Sequence, residues 1–265
     1  VGAVAAVVVL GVVLGVTLRT GPDADAAIVS AVNSAIGQKS AHATISGSVQ
    51  LQGRTAALTG TGSYDFTDNA VQLSVNIGVD GQQESLQLIY LGGTVYEGLP
   101  QIARLAPGKS WVSVDISSLQ HTVGESGVGQ IGGDPVAALR ALAQQGNTVS
   151  SIGPSTIDGQ SVQGYTVILN PAVERREMEQ ANLPASMKRA VFGSGSETVY
   201  LDGAGNLVRV TAAITEADGT AGTVQIQESS DLSDYGAPVS IVAPPADEVL
   251  PFDQFLQLAK DAQTA

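Results

Sequence analysis

Cysteine is absent from all 265 residues. That excludes a disulfide framework, a thiolate metal site and a cysteine nucleophile, and it leaves no cysteine in this sequence to carry a lipid. Basic residues are scarce as well: 12 Lys and Arg face 25 Asp and Glu, for a formal charge of −13 and a pI near 4.3. A nucleic-acid binder needs a basic face, and these residues are mostly scattered, so nucleic acid is set aside as a partner. The histidines are His42 and His121 alone, with no Gly-x-Ser-x-Gly elbow near them; Gly193-Ser194-Gly195 reads as a loop. No catalytic residue is assigned and no cofactor is expected. The carboxylate pairs Asp65/Asp68 and Asp231/Asp234 have turn spacing and lack a zinc-type His and Cys cluster, so no metal site is expected either. The glycine-rich run Gly124 to Gly133 does not match a phosphate-binding loop and no Lys-Ser/Thr pair follows it.

Aromatic residues make up 4 % and charged residues 14 %, against 31 glycines. With many Val, Thr and Ser, that balance suits a sheet protein. The alternation is plain. Val71, Leu73, Val75, Ile77 and Val79 interleave with Gln72, Ser74, Asn76 and Gly78, Asp80-Gly81 turns the chain, and Ser85 to Tyr90 answers. From Ala41, Ile45, Val49 and Leu51 begin the same rhythm, and Arg54 to Phe66 returns. Tyr90 to Leu119 carries a hairpin at Gly92-Gly93, a loop at Leu99-Pro100 and a further strand from Gly108-Lys109 with Trp111, which is expected to pack in the core. Later hairpins turn at Asp158-Gly159, Asp202-Gly203 and Asp218-Gly219, so that Thr148–Ile157, Ser161–Leu169, Glu197–Leu201, Leu207–Thr215 and Gly222–Glu228 read as strands. About 10 or 11 strands result, apolar on one face and Ser/Thr/Gln/Asn on the other, a sheet wetted on one side and covered on the other.

Helices supply the cover. Asp23 to Gln38 places Ala27, Ile28, Ala31, Val32, Ala35 and Ile36 on one stripe, Asp134-Pro135 starts a second helix with Val136, Leu139 and Leu142, and a third segment, Ala172 to Phe192, carries Met187, Ala190 and Val191 on one side. A short helix is expected from Asp253 to Lys260 in the C-terminal tail. Val1 to Leu18 is an unbroken apolar run of the length of a membrane-spanning helix; the other reading is a cleaved signal peptide, with Ala24-Asp25-Ala26 as the processing site. Either places the chain beyond Arg19 outside the cytoplasm. The division expected is an anchor or signal at 1–18, a linker at 19–23, one domain at 24–245 and a tail at 246–265.

The order of helix, strand meander, VYEGLP…GKSWVSVD, DPVAALRAL, TIDGQSVQGYTVIL, LPASMKRAV, ETVYLDGAGNLVRVTAAI and SDYGAPVSIVAPP resembles the LppX/LprG-type lipoproteins of the actinobacterial cell envelope, which share a LolA/LolB-like fold. The resemblance spans Ala24 to Pro245 and rests on aromatic, glycine and proline positions in a fixed order. It departs from the family in lacking the acylated cysteine. It implies an α+β fold, a half-barrel antiparallel sheet with helices over its concave face, and an apolar cavity between them for lipid or lipoglycan acyl chains.

Mapped onto this chain, that cavity is expected to be lined by Leu73, Val75, Ile77, Leu86, Leu88, Tyr90, Val136, Leu139, Leu142, Met187 and Val191. Arg175, Arg176, Lys188 and Arg189, a third of the basic residues on one segment, are the candidates to meet a lipid head group. The small Ala, Val and Leu residues of the covering helices would leave room against a curved sheet, and large voids in native interiors have occupants. Expected partners are the lipid, the membrane through the N-terminal helix, and an envelope transporter or another envelope protein. The competing expectation is a sensor or interaction module of the same fold with a filled core.

Overall fold

The computed structural model describes residues 22–51, 54–79, 82–98, 102–115, 135–143, 148–168, 194–218 and 222–264. The apolar run Val1–Leu18, His121, the glycine-rich run, and the segment with Arg175, Arg176, Met187, Lys188, Arg189 and Val191 lie outside the described residues.

Helix α1 (Pro22–Gly37) leads into β1 (Ser40–Leu51), β2 (Arg54–Asp65), β3 (Ala70–Val79), β4 (Gln82–Leu91) and β5 (Thr94–Gly98). A one-turn helix, α2 (Ile102–Leu105), interrupts the expected loop before β6 (Trp111–Asp115). Helix α3 (Pro135–Leu142) precedes β7 (Thr148–Ile157), β8 (Gln160–Ile168), β9 (Ser194–Asp202), β10 (Leu207–Asp218) and β11 (Gly222–Ser233). The chain ends in β12 (Val249–Pro251) and α4 (Phe252–Thr264). Among the described residues the strands form one sheet of 12, two more than the lower expectation, in the order β12-β6-β5-β4-β3-β2-β1-β11-β10-β9-β8-β7. All pairings are antiparallel except β12 with β6.

The hairpin turns explain most of this order. Val79 pairs with Gln82, Leu91 with Thr94, and Ile157 with Gln160, each across two residues. Gly92 and Gly93 both have positive φ, and so do Asp158 and Gly159. Two successive left-handed residues give the turn whose twist matches that of the flanking strands. The two meanders, β1 to β6 and β7 to β11, meet where β1 pairs with β11, from His42 opposite Ser233 to Leu51 opposite Val224. That pairing carries β11 five residues past the expected end at Glu228.

Strand periodicity divides the sheet into two faces. On the outer face one cross-strand row runs Ser85, Asn76, Thr59, Ser46, Ser229, Thr211, Thr198, Thr166, Ser150, short and uncharged from end to end. The inner face carries the apolar residues. Laid flat, the ten strands from β5 to β7 would span roughly 43 Å at about 4.8 Å per step. Yet Val95 of β5 and Val149 of β7 belong to one apolar cluster with Ile28, Ala31, Val32 and Ala35 of α1, a rod of about 24 Å. The sheet therefore curls around its helices.

Two inner-face glycines at the middle of the curl allow it. A Cβ on Gly60 would stand 2.4 Å from the Ser74 carbonyl oxygen, and one on Gly47 would stand 2.2 Å from that of Gln227. Only a residue without a side chain lets the neighbouring backbone come this close.

The free edge at β6 is handled by the tail, expected to hold only a short helix. β12 adds a parallel strand, Ser110 N–H donates to the Glu248 carbonyl at 3.0 Å, and Lys109 Nζ donates to that of Asp247 at 2.9 Å. Ile102, Val112 and Leu250 form a second small core, on which Phe252, Phe255 and Leu258 of α4 pack. Covering an edge in this way prevents pairing with other chains. Trp111 is not in this core: it lies half-buried on the outer face over Gly98, where a Cβ would meet its ring at 3.2 Å. Among the described residues no helix is long and apolar enough to cross a membrane.

Candidate lipid-binding face

The expected lining residues converge. Register places Leu73 opposite Leu88, Val75 opposite Leu86, and Val71 opposite Tyr90, so all share the inner face. Leu73, Val75, Leu88 and Tyr90 join Val136, Leu139 and Leu142 in the main apolar cluster, and Leu86 is buried beside them. Ile77 packs against the cluster but stays partly exposed. α3 is held at its start by Val136 N–H, which donates to Asn69 Oδ1 at 3.4 Å, in the turn between β2 and β3. Met187 and Val191 fall outside the described residues.

Burial is uneven along the strands. Where α1 and α3 lie on the sheet, Ala41, Ala43, Ile45, Leu73 and Val75 are buried. Farther along the same strands, Gly47, Val49 and Ile77 are partly exposed on the same face. Among the described residues, the apolar face extends beyond its helical cover.

Among the described residues several carboxylates interrupt this face: Glu84, opposite Ile77, is exposed, whereas Glu97, Glu197 and Glu228 are partly or fully buried, and the sequence reading missed them. Glu97 lies between Leu88 and Val112, and burial raises its pKa. Glu197 and Glu228 flank Ala212 on the two neighbouring strands. Glu197 is 2 % exposed. Glu228 lies opposite Gly47, its Oε1 accepts from Ser230 Oγ at 3.3 Å, and burial raises its pKa against the lowering effect of that hydrogen bond. The signal was there in strand parity: Glu197 is in phase with Val199 and Leu201, and Glu228 with Ile226 and Leu232.

Tyr64, 8 % exposed, sits on the same face one end nearer to α1. Burial, and secondarily the charge of Glu228, raise its phenol pKa far above the usual value. Tyr235, whose hydroxyl donates to the Leu207 carbonyl at 2.8 Å, is raised likewise by burial and then by Asp202 and Tyr64. His42 is on the opposite face, its Nδ1 3.1 Å from Ser63 Oγ. Asp65 Oδ1 accepts from Thr67 and Asp68 N–H, the turn geometry its spacing indicated. Among the described residues no group of His, Cys, Asp and Glu is arranged to hold a metal ion.

No family model and no curated protein matches the chain. Solved structures do. The chain is similar to LppX-type lipoproteins. The Mycobacterium tuberculosis lipoprotein LppX matches at 15 % identity over 84 % of this chain and 100 % of that one, with a TM-score of 0.47. LprF of Mycobacterium bovis matches at 18 % identity over 86 % of this chain and 100 % of that one, with a TM-score of 0.42. A putative outer membrane lipoprotein-sorting protein domain from Vibrio parahaemolyticus matches at 11 % over 80 % and 93 %, with a TM-score of 0.28. The family named by the resemblance in the sequence is thus met again among solved structures. Identities and scores of this size carry no ligand and no residue role onto this chain.

Proposed function

We propose that this protein is a non-catalytic, extracytoplasmic lipid carrier that holds acyl chains on the inner face of its curved sheet and moves or presents them within the cell envelope. The observation that carries this reading is the apolar face running past α1 and α3, with Gly47, Val49 and Ile77 partly exposed along it. Each methylene buried there contributes about 0.8 kcal/mol, so a dozen give on the order of 10 kcal/mol. That is comparable with the roughly 4–15 kcal/mol lost on association, so two acyl chains bind with little polar recognition. Arg175, Arg176, Lys188 and Arg189 are proposed to meet the head group, and Val1–Leu18 to tether the domain, with an envelope transporter or other envelope protein as the partner that loads or receives lipid.

Native mass spectrometry of the chain expressed with export to a bacterial envelope, followed by organic extraction, tests this. A near-stoichiometric co-purifying lipid is the expected result. An apo mass that persists after incubation with envelope lipids overturns it and favours an interaction module with a filled core.

A further inference from the structure

The outer face of the sheet takes no part in the lipid-binding reading, yet half of it is unlike an ordinary wetted surface. Among the described residues, the outer-face positions of β1 to β6 carry no Lys, Arg or Glu, and Asp only at Asp65 and Asp115, the last residues of β2 and β6. The chain as a whole has 25 Asp and Glu and 12 Lys and Arg. One cross-strand row there runs Trp111, Gly98, Gln87, Ser74, Thr61, Thr44. At its head the indole of Trp111 rests on Gly98: a Cβ there would stand 3.2 Å from Trp111 Cζ3, 3.3 Å from Cε3 and 3.3 Å from Gln87 Cβ. The sheet thus supports the indole from below, Trp111 keeps part of its surface exposed, and Gln87, Ser74, Thr61 and Thr44 are all exposed. The same row ends, beyond Asp231 and Arg209, in Tyr200 over Gly164, but that ring is closed in. Ile152 crowds the Gly164 position at 2.8 Å, and the Arg209–Asp231 ion pair stands on its other side. The platform at Trp111 has no such neighbours on its row.

We propose that Trp111, Gln87, Ser74 and Thr61 form a binding platform for a neutral polysaccharide, with one sugar ring stacked on the indole and the next ones hydrogen-bonded to the amide and hydroxyls. A sugar ring presents an apolar face of C–H groups, which suits the face of an aromatic ring. Its hydroxyls both donate and accept, and so do Gln, Ser and Thr side chains. Successive strands advance the row by about 4.8 Å, close to the length of one sugar residue, so successive side chains meet successive sugars. Charge decides the class of partner. An anionic polymer finds no cation at these positions and a chain of net charge −13 repels it. A protein partner would need an apolar patch at the centre of the contact, whereas the aliphatic Ile89 on this face is only 5 % exposed. The platform lies on the face opposite to the lipid-binding one and does not depend on the carrier reading.

Trp111 is the only tryptophan of the chain, so its fluorescence reports on this site. The test is titration of the full chain with cellohexaose, maltohexaose and mannohexaose, and with hexagalacturonate as the charged comparison. A saturable fluorescence change with at least one neutral hexamer, and none with the galacturonate, is the expected result. In calorimetric titrations of that neutral hexamer, Gln87→Ala should weaken binding roughly three- to tenfold, the range of one hydrogen bond. Trp111→Ala should weaken it roughly tenfold. Ser233→Ala, exposed on the same face but off this row, should leave it unchanged. Should Trp111→Ala fail to unfold cooperatively, Gln87→Ala and Trp111→Tyr, which keeps a ring, decide the matter: the first must weaken binding more than the second. No fluorescence change with any of the three neutral hexamers overturns the platform. Binding of the galacturonate as tight as that of the neutral sugars overturns it too, and so does neutral binding that Gln87→Ala and Trp111→Ala leave intact. None of these outcomes bears on lipid retention.

Discussion

The curl of the sheet depends on two glycines, and a graded set of Gly→Ala substitutions tests that dependence. At Gly60 the new Cβ would stand 2.4 Å from the Ser74 oxygen and 3.1 Å from Val75 Cα, both backbone atoms that cannot turn aside. Ordinary contact begins at 3.4 Å, so β2 and β3 must part by about 1 Å. Overpacking of this kind costs roughly 1–3 kcal/mol. At Gly62 the nearest atoms are Leu73 Cδ2 at 2.9 Å and Tyr64 Cε2 at 3.2 Å, ends of side chains that can move. The cost there should be about 1 kcal/mol or less. At Gly78 nothing comes nearer than the Ala57 oxygen at 4.0 Å, so alanine should be neutral or stabilising by about 0.4–1 kcal/mol, through the unfolded chain. Urea melts followed by far-ultraviolet circular dichroism give the three values, provided the slope m is unchanged. In thermal scans, Gly60→Ala should melt about 2–12 °C lower at roughly 2–4 °C per kcal/mol for a chain of this size. Equal stabilities for Gly60→Ala and Gly78→Ala would refute the reasoning, because the two differ in what their Cβ meets and not in residue type or sheet.

Glu228→Gln should stabilise the protein at pH 7. The folded-state pKa of Glu228 is raised, so wild-type stability falls as pH rises from the ordinary value of 4.5 through the raised one, and the advantage of Gln should vanish below 4.5 in denaturant melts at several pH values. Asp202 has the opposite sign. Burial pushes its pKa up, but hydrogen bonds from Asn206, Ala204 and Gly205 outweigh that and hold it below 3.8. Its contribution is therefore present above that value and lost on acidification through the lowered pKa; Asp202→Asn, at a mostly solvent-screened turn, should cost well under about 2 kcal/mol at pH 7 and less in acid. Leu250→Ala, at 4 % exposure in the small core under α4, should cost about 2–5 kcal/mol and promote association through the uncovered β6 edge, visible by size-exclusion chromatography. Ile77→Asp should abolish lipid retention with the fold intact, whereas Val75→Asp, at 1 % exposure, should unfold the protein; retention unchanged in Ile77→Asp would move the lipid off this part of the face.

Local chemistry made much of this fold readable. Asp158-Gly159 and Gly92-Gly93 announce their turns by residue type, and strict alternation through β3 and β4 put Leu73, Val75, Leu86 and Leu88 on one face. Pairings without a local signature stayed hidden. β12 is three residues long, too short for a period, follows Pro244-Pro245, and forms only because β6 offers an edge. α2 is a single turn of four residues. The β1–β11 pairing joins segments at opposite ends of the sequence, so neither strand alone reveals it. The inner-face carboxylates were readable in principle, but a Glu among Ser and Thr looks like surface until the parity of its strand is followed to the end.

The β1–β11 pairing has a kinetic meaning. Every other antiparallel neighbour in the sheet is also the neighbour in sequence, so each meander can form from local contacts, quickly and by itself. The concavity does not exist until β11, one of the last strands made, finds β1, one of the first. Loop-closure entropy opposes that step, and until it is complete two long strand edges and the apolar inner face stand open together. An exported chain would thus pass its most aggregation-prone moment just before closure, at the seam where Gly47 faces Glu228. If the chain carries lipid as proposed, a lipid bridging both halves there would favour the closed sheet, and loading would be coupled to folding.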